Sequence, residues 1–309
     1  MTAATALFVG DVSLDLTLVI DHVPAPDEKV HVTSSCELAG GVVANAAVAC
    51  ARAGASTRML MQTGDDAGSR FARTSLERVG VQVESEKVGG RTCQVVILLE
   101  PHGEKRLLLD PGVSMYPSVA QIEAVDLAGV AWIHTAVYGT AASRLVERCR
   151  ATGIPWSVDL EPASFATGVA SLADVIAGAA VVFCNEQAAR RIGTAPAATL
   201  LAMGVGAVVL TLGSRGVRLV ERGGADTPIE SPVRPVVRDT TGAGDCLAGW
   251  FIAQRLRGCS AVESLPSAVL AAALSCEHPG AQASYPTPET LRAFAARAEP
   301  SRLHEQHED

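Results

Sequence analysis

Short apolar runs of strand length alternate with helix-length, alanine-rich segments through most of this chain, and that alternation constrains the fold more than any other feature. Residues 6–9 form an apolar run that ends at Gly10-Asp11. Residues 44–53 read as a helix stopped by Gly54 and residues 69–79 as a helix stopped by Gly80, because glycine reaches the left-handed conformation that closes helices. Residues 131–137, 156–160, 180–184 and 207–212 read as strands, with helices predicted over 141–152, 186–192 and 197–203 between them. Repeated strand–helix–strand units predict a parallel sheet with helices on both faces.

Two stretches break the pattern. Between residues 15 and 36, Leu16, Leu18 and Ile20 alternate with Thr17, Val19 and Asp21, and Val30 and Val32 alternate with Lys29, His31 and Thr33 across a proline turn. That period of two describes a hairpin with one face on protein and one on water. Residues 93–99 and 106–110, separated by Pro101-His102-Gly103-Glu104, form a second such pair. Both are expected to belong to one small sheet placed as a lid: residues 15–36 and 91–110 form the lid, and 1–14, 37–90 and 111–309 the main α/β domain. The polar tail after Pro300 is expected to fray.

Composition narrows the function. A net charge of −8 and the lack of a long basic run argue against a nucleic-acid binder held by phosphate contacts. No apolar stretch approaches the roughly 18 residues of a membrane span. The eight cysteines include no Cys-x-x-Cys pair and mostly sit in apolar runs, which fits reduced thiols in a cytoplasmic protein.

The segment richest in chemistry is Arg238-Asp239-Thr240-Thr241-Gly242-Ala243-Gly244-Asp245, followed by an apolar helix over 246–256. Small residues before a helix let backbone N–H groups converge on an anion, where the helix dipole favours negative charge. An aspartate in the same turn would repel a bound phosphate, yet it makes sense as a base that takes the proton of an attacking hydroxyl. Taken alone, Asp245 reads equally well as a helix cap. Neither the glycine-lysine pattern of a P-loop nor the dinucleotide fingerprint is present.

These residues resemble the C-terminal signature, DTxGAGD, of the PfkB/ribokinase family of carbohydrate kinases, and the likeness extends along nearly the whole chain. Gly10-Asp11-Val12-Ser13-Leu14-Asp15 looks like the family's opening strand and sugar-binding aspartate, and Gly40-Gly41-Val42-Val43-Ala44-Asn45 like its glycine-pair signature. Thr211-Leu212-Gly213-Ser214-Arg215-Gly216 is similar to the nucleotide-binding turn, and Pro279-Gly280-Ala281-Gln282-Ala283-Ser284 to the segment that borders the nucleotide and holds a monovalent cation.

The resemblance implies a ribokinase-like Rossmann-type sandwich with a small β lid, and an ATP-dependent transfer to a hydroxyl, expected to be primary, of a small sugar. It implies Asp245 as general base and Gly242, Ala243 and Gly244 as the anion hole, with Asp15, Gly41 and Asn45 on the sugar. Asn185, Thr211, Gly213, Ser214, Gly216 and Gly244 would meet ATP. Asp239 would hold a potassium ion through its side chain, with backbone or side-chain oxygens from Thr241, Ser275, His278 (its carbonyl only), Gly280 and Ser284, and a homodimer would form through the lid. Mg2+ would rest mainly on nucleotide phosphates and water, because the glutamate of the family's Asn-x-x-Glu segment is Ala188 here. Val137, followed by Tyr138, stands where ribose kinases of the family carry a sugar-binding glutamate, which argues against ribose. The alternatives are a nucleoside kinase of the same fold and a sugar-binding protein with impaired catalysis. Lys29, Arg91 and Arg106 fall in or beside the lid hairpins, where they could meet an anionic group on the substrate, although solvated surface charges are the commoner case, and His134 reads as a core histidine.

Overall fold

The structure, a computed structural model, describes residues 4–101, 104–231 and 233–304, with only the backbone over 297–304. The predicted His102-Gly103 turn and the last five residues of the polar tail lie outside the described residues. The chain runs β1 (Thr5–Val9), β2 (Ser13–Ile20), β3 (Val32–Gly40), α1 (Val42–Arg52), β4 (Ser56–Thr63), α2 (Ala67–Glu77), β5 (Gln82–Lys87), β6 (Cys93–Leu99) and β7 (Lys105–Asp110). It continues through α3 (Val119–Ala124), β8 (Val130–Ala136), α4 (Ala142–Thr152), β9 (Trp156–Leu160), α5 (Ala173–Ile176), β10 (Val181–Asn185), α6 (Glu186–Ile192) and α7 (Pro196–Ala202). It closes with β11 (Ala207–Thr211), β12 (Val217–Glu221), β13 (Asp226–Ile229), α8 (Ala243–Leu256), α9 (Ala261–Ser275), α10 (Ala281–Ser284) and α11 (Pro288–His304).

Nine strands form one sheet in the order β13-β12-β11-β10-β9-β8-β1-β4-β5, parallel except for β12 and β13. Successive residues of β1 serve opposite faces. Ala6 and Phe8 enter one apolar core with α1, α8 and α9, while Leu7 and Val9 enter a second with α4. That two-sided burial is why its strand reads as a continuous apolar run. Nothing in the alternation singles out β4, β5, β12 or β13. The polar sequence of β5, QVESEK, becomes a strand because it pairs in parallel with β4 at the sheet edge.

A second sheet has the order β3-β2-β6-β7. Two antiparallel pairs, β2–β3 and β6–β7, meet through parallel β2 and β6. Its lid-like position relative to the large sheet matches the predicted class.

α1 and α8 start before their expected residues, the first through a tertiary cap and the second through a glycine turn. α1 begins at Val42 because Asp11 accepts hydrogen bonds from the N–H groups of Val42 (2.8 Å) and Val43 (3.0 Å), replacing the cap that Gly41 lacks. α8 begins at Ala243, three residues before the expected start, because Gly242 turns the chain at φ 73°. A Cβ at Gly242 would lie 2.3 Å from Tyr285 Oη, and that hydroxyl donates to the Gly242 carbonyl at 2.9 Å.

α1 and α8 pack backbone against backbone. A Cβ on Gly249 of α8 would come within 2.3 Å of the Ala46 carbonyl oxygen and 2.6 Å of Ala49 Cβ. His134 is a core residue as expected, with Nδ1 bonded to Ser157 Oγ at 2.8 Å and burial pushing its pKa down to about 3. All eight thiols are free, and among the described residues no helix is long and apolar enough to cross a membrane.

Gly249→Ala tests the helix contact. Alanine is favoured over glycine in a helix by about 1 kcal/mol, whereas overpacking against backbone costs about 1–3 kcal/mol. A lower unfolding free energy in urea is therefore expected despite the better helix former.

Candidate active site

The strands β11, β10, β9, β8 and β1 are parallel neighbours, so the loops after them open on one edge of the sheet. Thr211, Asn185, Asp159, Glu161, Tyr138 and Asp11 stand at or just beyond these carboxyl ends, where open α/β sheets place their ligands. All six line a cleft of about 540 Å³. Asp15, Gly41 and Asn45 line it from β2 and the start of α1, Gly242, Ala243, Gly244 and Asp245 from the start of α8, and Val95, Ile97, Leu107 and Leu109 from the small sheet.

Two glycines let this wall close. A Cβ on Gly40 would fall 2.2 Å from Asp15 Oδ2, so the aspartate occupies the space a side chain would need. Gly41 has φ 103°, and a Cβ there would meet the Asp11 carbonyl oxygen at 2.7 Å. Gly244 differs, because its missing Cβ would meet nothing within 4 Å, which leaves the first turn of α8 open towards a ligand.

Asp245 sits in that first turn and caps nothing. Its Oδ2 accepts from Asn45 Nδ2 at 2.8 Å, and Asn45 Oδ1 in turn accepts from Gln282 Nε2 at 3.0 Å. α8 has no side-chain cap, and apart from the Ala243 N–H, which donates to the Thr240 carbonyl at 3.3 Å, its leading N–H groups remain for an anion. Burial, with the Asp159 charge added, holds the Asp245 carboxyl well above the usual carboxylate range, opposed by the Asn45 hydrogen bond. Burial and the charges of Glu161 and Asp11 push Asp159 up to about 8. Burial raises Asp11 to about 6 against the pull of the Val43 and Val42 N–H groups. It raises Asp15 as well, opposed by Ser13 Oγ donating at 2.7 Å.

The other predicted residues separate into those in the cleft and those beside it. Asn185 and Thr211 line it, whereas Gly213, Ser214 and Gly216 form the adjoining turn between β11 and β12, outside the lining. Asn185 Oδ1 caps α6 by accepting from the Ala188 N–H at 2.8 Å, and Ala188 itself is fully buried. Glu186 pairs with Arg215.

Two expectations require correction. Val137 does not take the place of a sugar-binding side chain in the cleft; it turns into the core beside α4, and Tyr138 faces the cleft with its hydroxyl on Glu161. The second correction concerns Asp239, the side-chain ligand expected for potassium, whose carboxylate is already engaged. Asp239 Oδ1 accepts from Lys105 Nζ at 2.6 Å and from Thr241 Oγ1 at 2.7 Å, while Oδ2 accepts from the Gly280 N–H at 2.8 Å. Burial opposes the Asp239 charge, but the Lys105, Thr241 and Gly280 hydrogen bonds outweigh it and hold the carboxyl at about 2. The Ser284 and Ser275 hydroxyls donate to the carbonyls of Ala281 and Ala272, and His278 is exposed.

Sequence reasoning missed Asp159, Glu161, Gln282 and Lys105, and gave Asp11 no role. A rule that inspects the residues at and just beyond the end of each parallel strand would have found three of these; Gln282 and Lys105 carry no such signal.

Comparison with known proteins fits this geometry. The family described as pfkB family carbohydrate kinase matches residues 4–288. The ribokinase of Bacillus subtilis is 30% identical over 291 residues, 90% of this chain and 95% of that protein. The ATP-dependent ribose-1-phosphate kinase of Halopiger xanaduensis is 27% identical over 299 residues, 93% of this chain and 97% of that protein. The Arabidopsis thaliana ribokinase structure, complexed with ribose and ATP, superposes with a TM-score of 0.83 at 22% identity, covering 95% of this chain and 99% of that one. A Methanocaldococcus jannaschii nucleoside kinase superposes at 0.78 with 18% identity, covering 95% and 98%. With a family match over nearly the whole chain and a full-length relative at this identity, the chain belongs to the pfkB family of carbohydrate kinases, phosphotransferases whose acceptor is an alcohol group.

Proposed function

We propose that the protein is an ATP-dependent kinase that phosphorylates a hydroxyl, expected to be primary, of a small neutral sugar or sugar derivative. The observation that carries this reading is a half-buried carboxylate, Asp245, in the uncapped first turn of α8, sharing one cleft with Asp15 and Asn45. In this reading Asp245 takes the proton of the attacking hydroxyl, and the N–H groups of Gly242, Ala243 and Gly244 receive the charge that develops on the transferring phosphoryl group. Asn45 holds the Asp245 carboxylate in place, and Asp15 accepts from sugar hydroxyls. The nucleotide lies over the ends of β10 and β11, at Asn185 and Thr211, and the sugar over β1 and the small sheet.

Magnesium, when bound, offsets phosphate charge. Because Ala188 is buried and Asn185 caps α6, the oxygens that would hold the ion beside the phosphates are those of Asp159 and Glu161. The raised pKa of Asp159 supports this, since it marks carboxylates crowded together without a counter-charge. A homodimer through the small sheet rests on β7, an edge strand on which Leu108 is 58% exposed on the side away from the cleft.

Two features bear on the substrate. Among the described residues the cleft lining contains no lysine, arginine or histidine, which argues against a phosphorylated sugar. Its roof of Val95, Ile97, Leu107 and Leu109 is apolar and would accept a sugar that bears a flat or hydrophobic group. That roof favours a nucleoside kinase as the second reading.

Asp245→Asn should keep nucleotide affinity, measured by calorimetry, while lowering kcat by about two to four orders of magnitude, the range for a lost general base. Turnover near that of the parent protein would remove Asp245 from the role.

Across a panel read by ADP release, neutral sugars and nucleosides should exceed sugar phosphates in kcat/KM by at least about tenfold, the equivalent of 1.4 kcal/mol. A sugar-binding protein without catalysis would bind members of the panel and release no ADP.

The carboxylates also set a pH dependence of stability. Asp11 and Asp159 keep their protons in the folded protein at pH values where the unfolded chain has released them. Their contribution is complete below about pH 4 and is lost as pH rises through about 6 and then about 8. The ligand-free protein should therefore lose thermal stability between about pH 4 and pH 8, and Asp159→Asn should flatten the part of that decline above about pH 6.

A further inference from the structure

We propose that Lys105 is a positioning residue that supplies, from the small sheet, the positive charge a monovalent cation would otherwise provide beneath the anion hole. The inference rests on the kinase reading above. Lys105 opens β7, and its Nζ lies 2.6 Å from Asp239 Oδ1 and 2.5 Å from Thr241 Oγ1, joining positions 134 and 136 residues apart in the chain. Both side chains of the ion pair are largely shielded, with 27% and 19% exposure, so water screens the contact only partly.

Asp239 and Thr241 open the loop that leads through Gly242 into α8. Their oxygens are hard donors, the kind that surround potassium or an ammonium ion alike. A lysine ammonium carries three N–H donors on a compact charge, and two of them are used here. The Asp239 carboxylate is then complete. One oxygen is shared by Lys105 and Thr241, the other is taken by the Gly280 N–H, and neither is left for an ion. Charge balance points the same way, because one ammonium neutralises the single carboxylate of the set.

The lysine reaches this place by strand alternation. Lys105, Leu107 and Leu109 share one face of β7, and both leucines line the cleft. The strand that roofs the substrate site therefore also braces the loop that receives the phosphoryl charge.

The test compares the parent protein, Lys105→Ala and Lys105→Met in sodium, potassium, ammonium and tetramethylammonium chlorides at equal ionic strength. ADP release by the parent protein should differ by less than about twofold among the four salts. Lys105→Ala should fall by at least tenfold in tetramethylammonium and recover at least tenfold in potassium or ammonium, which can enter the vacated space. Lys105→Met, whose side chain fills that space without charge, should fall without recovering. Thermal melting is the second readout: potassium should raise the Tm of Lys105→Ala and leave the parent unchanged. A parent protein activated several-fold by potassium would overturn the proposal. So would a Lys105→Ala variant that keeps the parent rate in tetramethylammonium, or one that responds to no cation in either rate or Tm. If no protein releases ADP in any salt, the kinase reading fails, and the melting data still decide the role of Lys105.

Discussion

The close approach of α1 and α8 is the contact on which the site depends. Gly249 offers no side chain where the Ala46 carbonyl and Ala49 methyl press against α8, so two helices more than 190 residues apart in the chain meet at backbone distance. One turn further towards the cleft, that approach sets Asn45 against Asp245 at 2.8 Å. A larger residue at the contact would spread the helices and separate the pair. The start of α1 is in turn held by Asp11, which caps two of its N–H groups from the end of β1. The central sheet, α1 and α8 are thus tied together by one glycine and one buried carboxylate.

The cleft that results is strongly acidic. Asp11, Asp15, Asp159, Glu161 and Asp245 all line it, and no basic side chain among the described lining residues answers them. Burial without counter-charge lifts the pKa values of Asp11, Asp159 and Asp245, which suits a base and a site that receives a divalent cation with its nucleotide. Earlier in the same loop, at Asp239, the logic is reversed. Asp239 is held at about 2 because Lys105, Thr241 and Gly280 satisfy it from three directions. One family signature therefore contains two aspartates in opposite electrostatic states.

Much of the architecture was legible from periodicity. Strand-length apolar runs marked the parallel core, and the period-two stretches marked the small sheet, because burial on both faces and on one face leave different patterns. The polar β5 and the short β12 and β13 left no such trace, since pairing at a sheet edge needs little apolar surface. At the site, Asp15, Gly41, Asn45 and the turn from Gly242 to Asp245 could be identified because each sits in a short motif that resembles a family signature; local pattern alone reads them equally well as turn and cap residues. Val137 and Tyr138 could not be told apart, since one residue of register at a strand end exchanges core for cleft.

The sequence by itself determined the alternating elements and the glycines that permit tight turns, because these follow from local conformation and from periods of two and 3.6, and it carried the motif residues of the cleft through their likeness to the family's signatures. Only the tertiary structure decided that Asp159 and Glu161 crowd Asp245, that Gln282 orients Asn45 and that an ammonium from β7 reaches Asp239. Those contacts join residues far apart in the chain. Their distances depend on how sheets and helices pack, and local sequence pattern carries no record of that.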